Sequence, residues 1–321
     1  MSDLGGLPKL ALDWRLSGQG AVLATVVETW GSAPRPAGSQ LAIRDDGHME
    51  GSVSGGCVEG AVIVEALDAL SDGKQRILEF GVSDDEAFAV GLACGGRIKI
   101  LVEPVGGAMP VDVLTQLVAA RESGESIGYV ADLRGDARTL VAADAYRDRF
   151  RLDRSGVEDD GQTFVAVHNP PLRMIIVGGV HIAQHLAPMA RACGYDVTLV
   201  DPRATFASPA RFPDVTIVEE WPDAALAQLG LDARTAVVTL THDPKLDDPA
   251  IVAALRSDVF YLGCLGSTRT HAKRVARLQD AGFTDEIARI NAPVGLDIGG
   301  RSVAEIAVSI IAQVTQVLRQ G

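Results

Sequence analysis

No run of apolar residues in this chain is long enough to cross a bilayer, so a membrane-spanning helix is not expected. The first residues carry no basic segment followed by an apolar one, which predicts no secretory signal and a cytoplasmic location. Positive charge is scarce: 29 Lys and Arg stand against 42 Asp and Glu, a formal net charge of −13. That balance argues against a nucleic-acid surface, which needs a basic face. It leaves room for a local basic pocket. Cysteine is rare too, and Cys57, Cys94, Cys193 and Cys264 include no pair spaced as in a zinc knuckle or a C-x-x-C redox site. Reduced thiols are expected. Cys193, beside Gly194, reads as structural, and Cys264 reads as core within an apolar strand. What remains is an ordinary globular composition, 47% hydrophobic and 22% charged, in 321 residues that have room for two domains.

Cys57 and Cys94 differ from the other two because each adjoins a Gly-Gly pair. The stretch 51–60 (GSVSGGCVEG) sets two serines and two glycines ahead of Cys57, which opens an alanine-rich apolar run, 58–70, that reads as a helix. Gly55 and Gly56 tolerate positive φ and carry no side chains to block a ligand. Their amides, with Ser54 beside them, would meet the positive end of that helix, a place that suits an anion. The same dipole favours thiolate over thiol. The plainer alternative is a tight loop with a small buried Cys. Cys94 and Gly95 lie in 91–96 (GLACGG), at a glycine-rich strand entrance, as Cys57 lies at a strand exit. If those strands share a sheet, both thiols would face one pocket.

Alternation predicts strands at 21–28, 40–44, 48–53, 76–80, 97–103, 126–133, 139–143, 150–152 and 163–167. Helices are expected at 10–16, 58–70 and 110–122. The loop after the first strand (TWGSAPRPAGS, 29–39) holds Arg35 between two prolines, in a stiff extended segment that offers an anion partner. Its alternative is a plain connector with Trp30 in the core. Pro170 and Pro171 mark a boundary, dividing the chain into 1–168 and 169–321.

The second part begins with a strand at 172–177, the turn 178–183 (GGVHIA), an alanine-rich helix to Cys193, a strand at 196–200, and Asp201. These are the parts of a Rossmann βαβ unit, with Asp201 at about the ~20-residue spacing of the ribose-binding acid. The dinucleotide fingerprint, however, needs glycine where Val180 stands, so bound NAD is not expected. Three polar clusters fall at carboxyl ends of strands, where ligands sit in such sheets. They are Gly178, Gly179 and His181; His242, Asp243 and Lys245; and Gly266, Ser267, Arg269 and Lys273. The last is a natural phosphate cradle on a helix N-terminus, with N-capping and solvated basic residues as its alternative. A C-terminal helix starts with a capping box at Ser302 and Glu305, and its apolar stripe is expected to be core or the surface of a homodimer.

The chain resembles the XdhC/CoxI family, the accessory factors of xanthine dehydrogenase and related molybdenum hydroxylases. The segments that carry the resemblance are 28–39 (ETWGSAPRPAGS), 51–59 (GSVSGGCVE), 91–96 (GLACGG), 177–183 (VGGVHIA), 201–203 (DPR), 241–247 (THDPKLD), 263–273 and 293–299 (PVGLDIG). The implied fold is α/β, an N-terminal α/β domain of XdhC/CoxI type followed by a Rossmann-like doubly wound parallel sheet. The implied role is that of a non-enzymatic chaperone for molybdenum cofactor, a molybdopterin with a terminal phosphate, in some cases extended by a nucleotide. Such proteins support sulfuration of the cofactor with a cysteine desulfurase and deliver it to an apo molybdenum hydroxylase. On the residues, the phosphate or nucleotide end is expected at Gly266–Lys273 and Gly178–His181, with Asp201 near any ribose. The molybdenum end is expected to face Cys57 or Cys94. An NAD-dependent oxidoreductase and a pure interaction scaffold are the alternatives.

Overall fold

The segment AVLATVVETW has apolar residues at nearly every position, a pattern that fits a strand covered on both faces. In the computed structural model, which describes residues 6–31, 35–81 and 96–320, it is the central strand of the N-terminal unit. The elements there run α1 (Leu7–Leu16), β1 (Ala21–Trp30), β2 (Gln40–Arg44), β3 (Met49–Gly51), α2 (Glu59–Asp72), β4 (Arg76–Phe80), β5 (Arg97–Pro104) and α3 (Val111–Glu122). They are followed by β6 (Ile127–Asp132), β7 (Arg138–Ala142), α4 (Arg147–Leu152), β8 (Gly156–Val157) and β9 (Thr163–His168). One antiparallel sheet has the order β3-β2-β1-β5-β4, and a smaller one has β7-β6-β9-β8. Val22, Ala24 and Val26 of β1 pack with Val62 and Ala66 of α2. Leu23 and Val27 point the other way, into a core with Leu12 of α1, Leu114 of α3 and Phe164 of β9. Because β3 runs parallel to β1 and β5 runs against both, the loop after β1, the turn after β3 and the start of β5 meet at one end of the sheet.

One expected strand is a helix. The segment F-R-L at 150–152 reads as extended, yet Arg147–Leu152 is helical after a 3₁₀ turn at Ala143–Tyr146. Only Phe150 is buried, and one anchor satisfies either period.

The chain divides into two compact units, one ending at Pro170 and the other beginning at Pro171. The second contains β10 (Arg173–Val177), α5 (His181–Ala192), β11 (Asp196–Val200), β12 (Thr216–Val218), α6 (Pro222–Leu229) and β13 (Thr235–Thr239). After these come α7 (Pro244–Leu255), β14 (Tyr261–Cys264), α8 (Thr268–Asp280), β15 (Ile290–Asn291) and α9 (Val303–Gln320). Its six strands are all parallel, in the order β12-β11-β10-β13-β14-β15, the doubly wound arrangement. Helices α5 and α9 cover one face with Leu186, Ile310 and Val314, and α6, α7 and α8 cover the other with Leu226, Ile251 and Leu278. The buried stripe of α9 is therefore core of its own unit. Cys264 is core as expected, and burial pushes its thiol up to about 11. Cys193 is exposed at the end of α5. Among the described residues no helix is long and apolar enough to cross a membrane.

Candidate functional site

Three glycine turns were expected to present amides to a ligand. In two of them a carboxylate of the chain itself takes the amides. At the first, Glu59 opens α2 and turns its buried side chain back into the preceding loop. Its Oε1 accepts from Ser52 Oγ at 2.7 Å and from the amides of Val53 and Ser54 at 3.2 and 2.9 Å. Its Oε2 accepts from Ser54 Oγ and from the Gly56 amide at 3.0 Å. Ser54 Oγ in turn accepts from the amides of Cys57 and Val58, and Ser52 Oγ accepts from that of Gly55. Burial alone would raise the Glu59 pKa, but the hydrogen bonds from Ser54 and Ser52 outweigh it and hold the carboxyl down to about 2. The turn is thus a finished structure, and Ser54, Gly55 and Gly56 have no amide left for an outside anion. Cys57 sits on its surface as an exposed free thiol. Arg35 joins the same corner, donating from Nε to the Ser52 carbonyl at 3.3 Å. Cys94 and Gly95 lie outside the described residues.

The Rossmann turn is closed in the same way. Gly178 has φ 111°, and a Cβ there would meet Thr241 Cγ2 at 2.5 Å. A Cβ on Gly179 would collide with the Phe206 carbonyl, so the close approach this glycine permits is that of the chain's own backbone. Asp201 is 1% exposed and accepts four hydrogen bonds. The Gly179 amide donates at 2.8 Å, the Arg203 amide at 3.0 Å, and Arg203 Nε and Nη2 at 2.8 and 2.7 Å. Burial favours the neutral acid, but the Arg203 and Gly179 hydrogen bonds prevail and lower the pKa. A carboxylate offers about four acceptor positions, and Asp201 has none free. The expected ribose contact is therefore replaced by Arg203, which also stacks over the Phe206 ring at 4.0 Å. His181 stands exposed at the first position of α5.

The third turn is open. Beyond β13 and β14 a cavity of about 230 Å³ lies between α7 and α8, lined by His242, Asp247, Arg269, Thr270, Lys273 and Arg274 among others. Ser267 caps α8 by accepting from the Thr270 amide at 3.2 Å, and Asp243 caps α7 by accepting from that of Lys245 at 2.9 Å. Both were expected as ligand contacts and are committed instead to helix ends, which need such acceptors. Gly266 precedes the cap at φ 139°. His242 holds φ 63°, a strained backbone for a non-glycine residue that concentrates at functional sites.

The buried wall of the cavity is not satisfied from within. Arg274 is 2% exposed and donates from Nη2 to the Leu265 carbonyl at 2.9 Å, while its Nε and Nη1 have no partner among the described residues. Asp247, also 2% exposed, engages Thr241 through Oδ1 and leaves Oδ2 unpartnered. Burial pushes its carboxyl pKa up, with Thr241 and Arg274 offsetting part of the shift. Arg277 and Asp248 neutralise one another at 2.6 and 2.9 Å. Among the described residues, the charged ends of Arg269 and Lys273 have no such partner. Buried polar groups in native proteins are almost always paired, so a buried guanidinium with two nitrogens unmet, beside Arg269 and Lys273, makes this cavity the candidate site for an anion. The sequence pattern leads as far as Lys273 and stops one residue short of Arg274. The missed signal was a charge at a core-facing position, since Arg274 and Leu278 are the buried residues of α8.

Fold and site define a two-unit α/β protein whose Rossmann-type sheet has its acid committed internally and a cation-lined cavity beyond β13 and β14. Residues 14–81 match the XdhC and CoxI family, and residues 174–314 match the XdhC Rossmann domain. The molybdenum cofactor insertion chaperone PaoD of Escherichia coli (strain K12) is 34% identical over 311 residues, covering 96% of this chain and 87% of that protein. The chain belongs to the XdhC and CoxI family. A probable xanthine dehydrogenase subunit from Bacillus subtilis (strain 168) is 26% identical over 313 residues, with 92% of each chain covered. The crystal structure of a xanthine dehydrogenase from Bacillus halodurans superposes with a TM-score of 0.72, covering 100% of this chain and 96% of its own. Its 24% identity bears on the fold alone. The name PaoD carries is that of an insertion chaperone, which supports an accessory role in this family rather than catalysis.

Proposed function

We propose that this protein is a molybdenum cofactor chaperone that takes the cofactor as cargo, protects it and passes it to an apo molybdenum hydroxylase of the xanthine dehydrogenase type. The observation that carries the proposal is the buried guanidinium of Arg274, two of whose nitrogens have no partner among the described residues, in a cavity with Arg269 and Lys273. The cofactor ends in a phosphate, plain or nucleotide-extended, and three cations on one helix suit it. The relationship to an insertion chaperone supports the same reading.

The sulfur-rich metal end calls for a soft partner. Cys57, exposed on a turn held rigid by Glu59, is the described candidate for contact with molybdenum or for carrying sulfur received from a cysteine desulfurase. Cys94 is the second candidate, and Arg35 contributes positive charge at the Cys57 corner. Homodimer formation and a cytoplasmic site of action belong to the same reading. An NAD-dependent oxidoreductase is disfavoured, since Asp201 is saturated by Arg203 and Gly179 and Val180 replaces a fingerprint glycine.

The test is co-purification from a host that makes the cofactor, with molybdenum and pterin measured per chain. The unaltered chain is expected to carry both, and Arg269→Ala/Lys273→Ala to lose both. Cys57→Ala is expected to keep its fold and lose molybdenum retention. No molybdenum or pterin in the unaltered chain, even after adding cofactor back, would refute the proposal.

A further inference from the structure

Two orphaned groups of opposite polarity share the cavity. Among the described residues, Arg274 leaves Nε and Nη1 without acceptors, and Asp247 leaves Oδ2 without a donor. Their approach, Nη2 to Oδ2, is 3.9 Å, too long for a hydrogen bond. An ion pair built only for stability would close that gap. A pair held apart leaves two donors and one acceptor for a third body. Thr241 fixes which acceptor that is: its hydroxyl and its amide donate to Asp247 Oδ1 at 2.6 and 3.3 Å, so Oδ2 is the atom left over. A fully ionised phosphate group, which has no donor of its own, would satisfy Arg274 and repel the Asp247 carboxylate. A ligand that satisfies both must carry acceptors and, close to them, a hydrogen-bond donor.

We infer that Asp247 is a specificity-determining residue of this cavity, selecting a phosphate monoester with a hydroxyl or amino donor beside its phosphate over a donor-free phosphate. The inference rests on the reading of the cavity as an anion site. A site with a buried acceptor discriminates strongly against a ligand that leaves the acceptor unpaired, because nothing replaces the lost water. Asp247 does not add attraction for the phosphate; its charge works against it. Its place is explained by a donor on the ligand, as His242, Arg269 and Lys273 are explained by the anion.

The test is calorimetric titration of the full chain at pH 8 with glycerol 3-phosphate and with propyl phosphate. These differ chiefly in hydroxyl groups. Glycerol 3-phosphate is expected to bind at least about fivefold more tightly. In Asp247→Asn that preference is expected to vanish while propyl phosphate binds no more weakly than before. Should the variant fail to fold, the comparison in the unaltered chain still decides. Adenosine monophosphate against its 2′,3′-dideoxy form extends the test to a nucleotide: weaker binding of the dideoxy form assigns ribose hydroxyls as the donor. Equal affinity for glycerol 3-phosphate and propyl phosphate overturns the inference. So does equal weakening of both by Asp247→Asn, which would make Asp247 a structural ion-pair partner only. Binding of none of these phosphates overturns instead the reading of the cavity as an anion site.

Discussion

In the β10–β12 half of the parallel sheet, the acid at a strand end, Asp201, receives four hydrogen bonds from Gly179 and Arg203 and faces no open space. In the β13–β15 half, the acid Asp247 keeps one oxygen unpaired at the edge of a cation-lined cavity. Both are buried to the same degree, 1% and 2% exposed. The physical difference is in who supplies the donors. Arg203, two residues along the chain, reaches Asp201 from outside and completes it, whereas Arg274 stops 3.9 Å from Asp247 and completes neither. Glu59 in the N-terminal unit belongs with Asp201, since its turn supplies five donors within hydrogen-bonding range. A carboxylate completed by the chain is architecture, and one left incomplete is addressed to a ligand.

Replacing each acid by its amide sharpens that contrast. Glu59→Gln is expected to have the largest effect, about 3 kcal/mol lost in urea unfolding, because a carboxyl held to about 2 instead of 4.5 stores roughly that much. The sign follows from a depressed folded pKa. The Glu59 contribution is full above the unfolded pKa of about 4.5 and fades as pH falls toward 2. Unfolding at neutral pH that matches the unaltered chain would show that the turn does not depend on this acid. Asp201→Asn comes next, with about 2 kcal/mol expected from the loss of charge-assisted bonds to Arg203. Phosphate monoester affinity should be unchanged in that variant, as read by titration.

Asp247→Asn goes the other way. A raised pKa means that ionising this acid costs stability as pH rises through its folded value, so the amide is expected to match or exceed the parent at pH 7, within about 1 kcal/mol. A loss as large as that for Glu59→Gln would erase the distinction between completed and open acids. The smallest effect is expected at His242→Gly. Relief of the left-handed backbone at φ 63° should offset the added freedom of the unfolded chain, leaving stability within about 0.5 kcal/mol. Phosphate affinity should still fall, because the imidazole lines the cavity.

Much of the fold was legible in the residues. The Val-rich strand β1, the turn 178–183 and the strand ends of the parallel sheet all read directly, because burial pattern and glycine constrain backbone locally. Phe150 shows the limit, since a single buried anchor fits a strand as well as the helix that forms. The sites were legible only in part for a different reason. A glycine pair announces a close approach but not which group approaches. At Gly56 it is Glu59, at Gly179 it is the Phe206 backbone, and both partners depend on folding across several residues or more. Asp243 and Ser267 read as ligand contacts although a helix N-terminus is a competitor for the same side chains. Arg274 escapes a sequence reading because its significance lies in what it fails to meet, and only the folded chain reveals an unmet partner.

The most direct measurement of the open cavity against the closed turn is the affinity of one phosphate monoester, glycerol 3-phosphate, for three chains: the unaltered protein, Arg269→Ala/Lys273→Ala and Arg203→Ala. The account predicts a loss of at least about tenfold on removing the two free cations, and no change on removing Arg203, whose charge is spent on Asp201. Retained affinity in the double variant together with loss in Arg203→Ala would place the anion at the Rossmann turn and contradict the account.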